Sequence, residues 1–200
     1  MDKVRPQRIK TIDLLRAFAV IMMIQGHTIH ALLNSSYSNS SSLFYNIWIF
    51  FRAFTAPIFI FSSGLVFTFL LFQNPIDFKT NVRIRKGIRR GIVLILIGYL
   101  LRYPTVKIFN LGEVSYNQWL TFFTVDALHL IGVGLLLITT FAIFFEKVKI
   151  PLAQSFFVLV TLVMFCTPFI ISVNWSESIN IFFVSYVTFK YGSIFPLFPY

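Results

Sequence analysis

The chain has 200 residues, of which 57% are hydrophobic and only 12% are charged, and its mean hydropathy is +0.80. Soluble domains carry about 25% charged residues, so this composition excludes a soluble globular domain and indicates an integral membrane protein. The net charge of +10 does not indicate nucleic-acid binding, because the cations fall in links that would share one side of a membrane.

Apolar segments of about 20 residues predict five spanning helices and the start of a sixth. The predicted helices cover residues 12–33, 45–72, 88–104, 119–145, 152–173 and, in part, 182–200. Pro57 lies inside the second segment and predicts a break in its hydrogen-bond ladder. The predicted fold class is an all-α, polytopic transmembrane helix bundle, formed as a single membrane-embedded domain over residues 1–200.

The links between these helices predict how the chain is oriented. Residues 1–10, 73–90 and 146–150 hold most of the 17 basic residues, whereas the serine-rich link 34–42 has no charge. Basic links remain on the cytoplasmic side, so we predict a multi-pass protein of the cell membrane with its N-terminus in the cytoplasm. The first apolar segment lacks a small-residue cleavage site and is predicted to be a retained helix.

The first helix carries ionisable side chains, which are costly in a membrane and usually line a cavity or the bundle interior. Arg16 and His27 are 11 residues apart, which directs them to within about 20° of each other and separates them by about 16 Å along the axis. Asp13 and His30 fall on the same stripe, and Asp13 can pair with Arg16. An arginine can hold a phosphate, and a neutral imidazole can accept a proton from a hydroxyl or amine. A histidine here also fits a helix-to-helix hydrogen bond.

The fourth helix carries a second polar pair, Asp126 and His129, three residues apart on one face. A carboxylate can orient an imidazole and stabilise its protonated form. The same pair also fits a structural polar seam between helices. Gly132 and Gly134 follow in the same helix and predict a close approach by a neighbouring helix.

Three further side chains carry weaker signals. Arg102 lies near the end of its helix and is expected to extend to the lipid headgroups, and Arg52, about two turns inside its helix, fits the same role. Cys166 is the only cysteine and stands in an apolar run without neighbouring ligands, so neither a disulfide nor a metal site is predicted.

Several segments, in their order along the chain, resemble one known group. IDLLRAFAVIMMIQGH, with Arg16 and His27 in an R-x10-H pattern, resembles the first helix of the membrane-bound acyltransferase family 3 proteins. FFRAFTAPIFIFSSG, RKGIRRGIVLILIGYLLRYP, VDALHLIGVGLLLI and SIFPLFPY resemble segments of the related heparan-alpha-glucosaminide N-acetyltransferase catalytic-domain-like proteins. Ala17 and Gly26 depart from the group, in which glycine and an acidic residue are usual at these positions. Members are usually much longer, and this chain stops inside an apolar segment, so we expect the natural protein to continue with further helices.

The resemblance implies an integral membrane acyltransferase. It implies that an acetyl group moves from cytoplasmic acetyl-CoA to an amine or hydroxyl of a sugar or glycan on the far side of the bilayer. Arg16 would contact the donor and His27 would be the catalytic base, while Asp126 and His129 match catalytic positions less closely. Direct transfer and an acyl-histidine intermediate both remain open.

Other side chains are candidates for supporting this reaction. Arg89 and Arg90 lie in the basic segment at the predicted inner rim and are candidate ligands of the donor's phosphates, although their charge also fits membrane orientation alone. Ser62 and Ser63 are candidate donors to the oxyanion of acyl transfer.

Two rival functions use the same residues. A transporter or proton relay also buries histidine, aspartate and arginine in broken helices. A catalytically silent scaffold would keep the fold and would not bind acetyl-CoA. The identity of the acceptor, the choice between N- and O-acylation and the oligomeric state are left open by the sequence.

Overall fold

The computed structural model describes residues 10–33, 42–73, 75–77, 79–105, 112, 114–173, 175, 181–189 and 193–197. Regular secondary structure within these ranges is helical, which confirms the predicted all-α fold class. The sequence predicts a single domain, and the structure divides the chain into two compact units, Met1–Gln73 and Asn74–Tyr200. The basic residues before Lys10 and most of the serine-rich link lie outside the described ranges.

The first unit contains three helices, α1 (Lys10–Leu32), α2 (Leu43–Ala53) and α3 (Thr55–Phe72). α1 packs along α3, and its two buried positions, Ala19 and Gly26, are both small residues. Small side chains let two helix backbones approach closely without a large apolar core between them.

The predicted helix 45–72 is interrupted in the structure at Phe54, three residues before Pro57. The ring nitrogen of Pro57 has no hydrogen to donate to the carbonyl of Ala53, one turn earlier. The backbone N–H of Phe54 instead donates to the carbonyl of Phe51 at 3.3 Å, a tighter turn than that of an α-helix.

Four segments of the described chain are long and apolar enough to cross a bilayer, namely Lys10–Leu32, Leu43–Phe72, Ala127–Val148 and Ala153–Ser172. They expose large apolar side chains, including Phe61 at 69%, Phe157 at 73% and Phe165 at 72%. Exposed apolar side chains along helices of this length are stable against lipid tails but not against water. The protein is therefore a helical membrane bundle.

The second unit contains α4 (Val82–Leu101), α5 (Tyr116–Phe122), α6 (Ala127–Val148), α7 (Leu152–Ser172) and α8 (Ile181–Val187). α4 begins at Asn81, whose side-chain oxygen accepts from the backbone N–H of Arg83 at 2.9 Å. α6 ends at Val148, its C-cap Lys149 adopts a left-handed conformation with φ 59, and Pro151 precedes α7. A turn of three residues thus joins α6 to α7.

The predicted helix 119–145 is two helices in the structure, α5 and α6, separated by residues 123–126. The side chain of Asp126 accepts from the backbone N–H groups of Leu128 and His129, which have no partner within a helix that begins at Ala127. Asp126 is therefore the N-cap of a new helix and not an interior residue, which the apolar pattern alone could not indicate.

α4 and α6 pack at a glycine contact. A Cβ atom placed on Gly132 would lie 2.7 Å from the carbonyl oxygen of Gly91, and one placed on Gly91 would lie 2.8 Å from that of Gly132. The prediction of a close approach at Gly132 is confirmed. The same prediction for Gly134 is wrong, because a Cβ there would meet no atom of the described residues within 4 Å. Gly134 is two residues along α6 and so points away from α4.

The segment 193–197 closes over the start of α6. The carbonyl of Val125 accepts from the backbone N–H groups of Ile194 and Phe195 at 2.9 and 3.2 Å. The hydroxyl of Ser193 donates to the carbonyl of Ser185 in α8 at 2.6 Å. These bonds fix the backbone on the N-terminal side of Asp126 and hold the start of α6 in place.

Candidate functional site

The best-defined polar group in the second unit lies at the N-terminus of α6. Oδ1 of Asp126 lies 2.8 Å from Nδ1 of His129, and the side chain of His129 is completely buried. The structure therefore brings together the two residues that the sequence predicted as a pair.

The hydrogen bond between these residues determines the tautomer of the imidazole. Nδ1 of His129 also lies 3.4 Å from the backbone N–H of Asp126, a contact that requires a lone pair on Nδ1. The contact with the carboxylate is shorter and charge-assisted, and it requires a proton on Nδ1. Because two acceptors facing each other at 2.8 Å would repel, we place the proton on Nδ1, which leaves Nε2 as the acceptor in the neutral ring.

Arg102 completes the group, since its Nε donates to Oδ2 of Asp126 at 3.3 Å. The expectation that Arg102 extends to the lipid headgroups is therefore wrong. Arg102 follows the last residue of α4, and α6 begins beside it because the two helices pack closely at their glycines. A carboxylate within reach is a better partner for a guanidinium than a headgroup, since the bond is fixed and charge-assisted.

Two tyrosines, Tyr99 and Tyr186, lie close to the imidazole. The ring of Tyr99 meets that of His129 edge to face, with centroids 4.4 Å apart, and the hydroxyls of Tyr99 and Tyr186 lie 2.8 Å from each other. Gly98 makes this contact possible, because a Cβ atom there would lie 2.5 Å from Cε1 of His129. Nε2 of His129 is buried and has no hydrogen-bond partner among the described residues.

The sequence analysis missed Gly98, Tyr99 and Tyr186 as parts of this group. Gly98, Tyr99 and Arg102 occur within five consecutive residues, GYLLR, and the two polar members are spaced by three residues on one face of α4. That spacing is a usable signal. No signal in the sequence points to Tyr186, because only the tertiary structure brings α8 to Tyr99.

In the first unit, Arg16 opens onto a surface pocket of about 410 Å³. The pocket is lined by Asp13, Arg16, Ala17, Val20, Ile21 and Phe59. Nε of Arg16 is buried and lacks a hydrogen-bond partner within the described ranges. The possible pair of Asp13 with Arg16 does not form, since no ion pair joins these two described side chains. The pocket therefore combines an unpaired guanidinium with an apolar wall.

His27 and His30 lie further along α1 and are both exposed. Neither lines the pocket at Arg16, so the structure does not gather Arg16 and His27 into one cavity of this unit. Their shared direction on α1 is the relation that the sequence predicted from the helical period.

The remaining predicted residues are placed as follows. Arg89 and Arg90 are exposed on α4, in the second unit. The hydroxyl of Ser62 is buried and donates to the carbonyl of Phe59 at 3.2 Å, so its proton is already engaged. Ser63 is half-buried in α3. No cluster of three or more His, Cys, Asp or Glu side chains forms among the residues that the structure describes, and chemistry without a metal stays a prediction.

Arg52 is held inside the first unit. Its guanidinium carbon lies 5.4 Å from the ring centroid of Trp48, a cation–π contact. Its Nε, Cδ and Cγ lie against Gly26, at 3.0, 3.4 and 3.6 Å from where a Cβ atom would be. Gly26 immediately precedes His27, so Arg52 reaches α1 at the level of the exposed imidazole.

The chain matches a family model described as heparan-alpha-glucosaminide N-acetyltransferase, catalytic, over residues 8–200. The match covers both structural units. No curated protein and no solved structure matches the chain.

Proposed function

The chain belongs to the heparan-alpha-glucosaminide N-acetyltransferase catalytic family, and from this premise we propose that it transfers an acetyl group from cytoplasmic acetyl-CoA to an amine or hydroxyl of a sugar or glycan. The observation that carries the proposal is the match of the catalytic model over residues 8–200. The coarser statement, a membrane enzyme of the N-acetyltransferase type, follows from that match and from the apolar helices.

The pocket at Arg16 has the chemistry that the donor requires. When bound, acetyl-CoA supplies an activated acetyl thioester together with several phosphate charges. A guanidinium whose buried Nε has no partner among the described residues is suited to a phosphate, and the adjacent side chains of Val20, Ile21 and Phe59 offer apolar contact to an uncharged arm. Arg16 is therefore our principal donor-binding residue. Arg89 and Arg90, exposed on α4, remain proposed phosphate ligands.

We assign the general base to His27. A base must contact the acceptor, and the imidazole of His27 is exposed, whereas that of His129 is completely buried. In its neutral form, the ring of His27 removes the proton of the acceptor's amine or hydroxyl as that group bonds to the acetyl carbon. Asp126 and His129 stay in the proposal as an oriented pair of the second unit, with Nε2 as the proton-accepting atom.

The direction of transfer follows from the proposed orientation. α4 begins with a basic cluster, Arg83, Arg85, Lys86, Arg89 and Arg90. Basic residues at a helix end favour the cytoplasmic face, so that end of α4 and the N-terminus would lie in the cytoplasm, where the donor is found. The cell membrane is the proposed location.

The test uses the purified full chain in detergent, with acetyl-CoA as donor and glucosamine as probe acceptor. Release of CoA thiol that depends on glucosamine supports the proposal. Arg16→Ala should raise the KM for acetyl-CoA by about tenfold, the effect of losing one charge-assisted contact, whereas Arg85→Gln, an exposed matched control, should leave it unchanged. An unchanged KM in Arg16→Ala would remove Arg16 from the donor site.

One observation favours a second function. Arg102, Asp126 and His129 form a continuous chain of hydrogen bonds, as a proton relay or transporter would require. Vesicles containing the protein separate the two functions. Proton flux stimulated by a sugar, without consumption of acetyl-CoA, would favour the relay.

A further inference from the structure

Four buried side-chain polar atoms in the described chain have no hydrogen-bond partner, and three of them belong to the first unit. One is Nε of Arg16, at the proposed donor site. The other two are Nε1 of Trp48 and Oγ1 of Thr55, which neither the sequence analysis nor the proposed function uses. Unsatisfied buried polar groups are rare and costly, so each of them requires an explanation.

Trp48 and Arg52 of α2 and Thr55 at the start of α3 lie on one face of these two consecutive helices. The spacings of four and three residues place the three side chains within about 60° of each other around the helix axis. The helix break at Phe54 does not disturb this arrangement much, because Phe54 keeps a right-handed helical conformation, with φ −78 and ψ −13. The face therefore presents an indole N–H, a guanidinium and a hydroxyl.

None of the three groups is engaged as a donor to another described residue. Arg52 contacts the ring of Trp48, but a cation–π contact leaves the N–H groups of the guanidinium free, and Arg52 forms none of the ion pairs of the described chain. A threonine in a helix commonly donates to the carbonyl one turn earlier, as Thr28 does to Ile24, and Thr55 does not. Three hydrogen-bond donors without a described hydrogen-bond partner thus lie on one face.

One of these donors, Arg52, lies against the residue that precedes the proposed base. The side chain of Arg52 rests on Gly26, and His27 is the next residue of α1. Any side chain larger than a hydrogen atom at position 26 would press on Arg52, since a Cβ there would lie 3.0 Å from its Nε. The absence of a side chain at Gly26 therefore brings the guanidinium to the level of the imidazole.

We propose that Trp48, Arg52 and Thr55 form an oxyanion-binding site, which holds the carbonyl oxygen of the acetyl group during transfer. The inference rests on the proposed function. The acceptor's nitrogen or oxygen donates its electron pair to the carbonyl carbon, and the C=O π electrons move to the oxygen. His27 takes the acceptor's proton, the oxygen's electron pair re-forms the C=O bond, and the C–S bond breaks. The electrons of that bond leave with the thiolate, which takes the proton from the His27 imidazolium and becomes the CoA thiol, so the imidazole is neutral again.

The charge on the oxygen exists only during this step, so donors that serve it need no permanent partner, and none is present among the described residues. Donors that are fixed before the reaction stabilise such a charge more than water does, because they need no reorganisation. Ser62 cannot take this role, since its proton is donated to Phe59.

Three substitutions test the site: Arg52→Gln removes the positive charge, and Thr55→Val and Trp48→Phe each remove one hydrogen-bond donor. Arg52→Gln should lower kcat by about 10²- to 10³-fold, and the two neutral changes by about tenfold each, with the KM for acetyl-CoA unchanged. Matched controls elsewhere in the chain are Arg85→Gln, Thr161→Val and Trp119→Phe, none of which should change kcat.

Thermal unfolding distinguishes this role from a structural one. Since Nε1 of Trp48 and Oγ1 of Thr55 are unsatisfied, replacing them with apolar groups should leave Tm unchanged or raise it while activity falls. A lower Tm in both variants would mean that the groups support the fold, and unchanged kcat in all three would overturn the proposal.

A fluorescence titration tests the oxyanion-binding site without measuring turnover, so it can fail or succeed independently of the proposed function. With Trp119→Phe and Trp175→Phe as background, Trp48 is the only tryptophan, and acetyl-CoA should change its fluorescence more than CoA does. Arg52→Gln should abolish the difference between the two ligands. If the protein shows no turnover but still responds differently to acetyl-CoA and CoA, the proposed function is contradicted and the oxyanion-binding site is supported. Equal responses to acetyl-CoA and CoA would overturn the site even in an active protein.

Discussion

Both units contain histidine in an apolar helix, and the imidazoles of His27 in the first unit and His129 in the second differ in their environment. His129 is completely buried, with Asp126 at 2.8 Å, Tyr99 against its ring and Gly98 beneath it. His27 is exposed on α1. A buried and oriented imidazole has a defined tautomer but no access for substrate, whereas an exposed one has access and depends on its ligands for orientation.

The comparison shows that intramembrane histidine alone does not identify a base. Burial, partners and access separate the two residues, although both stand in apolar sequence next to possible charged partners. The following predictions test whether His27 serves the reaction and whether His129 and its neighbours serve the organisation of the second unit.

The largest effect is expected from His27→Ala, which removes the proposed base. General-base catalysis contributes about 10²- to 10⁴-fold, so kcat should fall within that range while membrane insertion and Tm remain unchanged. The measurement is CoA release from acetyl-CoA with glucosamine as acceptor. His30→Ala, on the same helix and also exposed, is the matched control and should retain full activity. Full activity in His27→Ala would contradict the assignment of His27 as the general base.

The next effect concerns the stability of the second unit. Asp126→Ala removes the N-cap of α6 and leaves Arg102 and His129 without their carboxylate, and should lower the free energy of unfolding by about 3 kcal/mol. Asp126→Asn keeps an oxygen for the cap and should lower it by only about 1 kcal/mol. Chemical denaturation in detergent measures both. Equal losses in the two variants would mean that the cap oxygen contributes nothing, and no loss in Asp126→Asn would mean that the charge contributes nothing.

A pair of glycines in α6 tests the helix contact that carries the buried group. Gly132→Ala forces a methyl group against the carbonyl of Gly91 and should cost about 2 kcal/mol. Gly134→Ala, two residues away, meets nothing within 4 Å and should stabilise the helix by about 0.5 kcal/mol. Opposite shifts of Tm are expected, and shifts of the same sign would contradict the close packing of α4 on α6.

The smallest effect is expected outside the membrane segments, at Asp77 before α4. The backbone N–H of Lys79 and then the hydroxyl of Thr80 donate to its carboxylate and hold its pKa below the ordinary 3.8. A lowered pKa in the folded state means that the ionised group stabilises the fold above pH 3.8 and that this contribution is lost as the pH falls through the folded-state pKa.

The measurement compares Tm of Asp77→Ala with that of the unaltered protein between pH 7 and pH 3. Asp77 is fully exposed, so the difference should be small at pH 7 and should shrink further at pH 3. A difference that grows on acidification would reverse the assigned sign.

The helical class and the membrane environment followed from the sequence because both depend on local composition. A run of about 20 apolar residues must be helical in lipid, where every backbone polar group needs an internal partner. The pairing of Asp126 with His129 was predictable for the same reason, since three residues along a chain determine a shared face.

What only the tertiary structure decided depends on contacts between distant residues. The hydrogen bond of Arg102 to Asp126 spans 24 positions and that of Tyr99 to Tyr186 spans 87, and no helical period reports either one. The burial of His129 depends on Gly98 of another helix, and the placement of Arg52 depends on Gly26. Composition therefore determined where the chain resides, while the packing of particular glycines determined which of its polar side chains are buried together and which remain accessible.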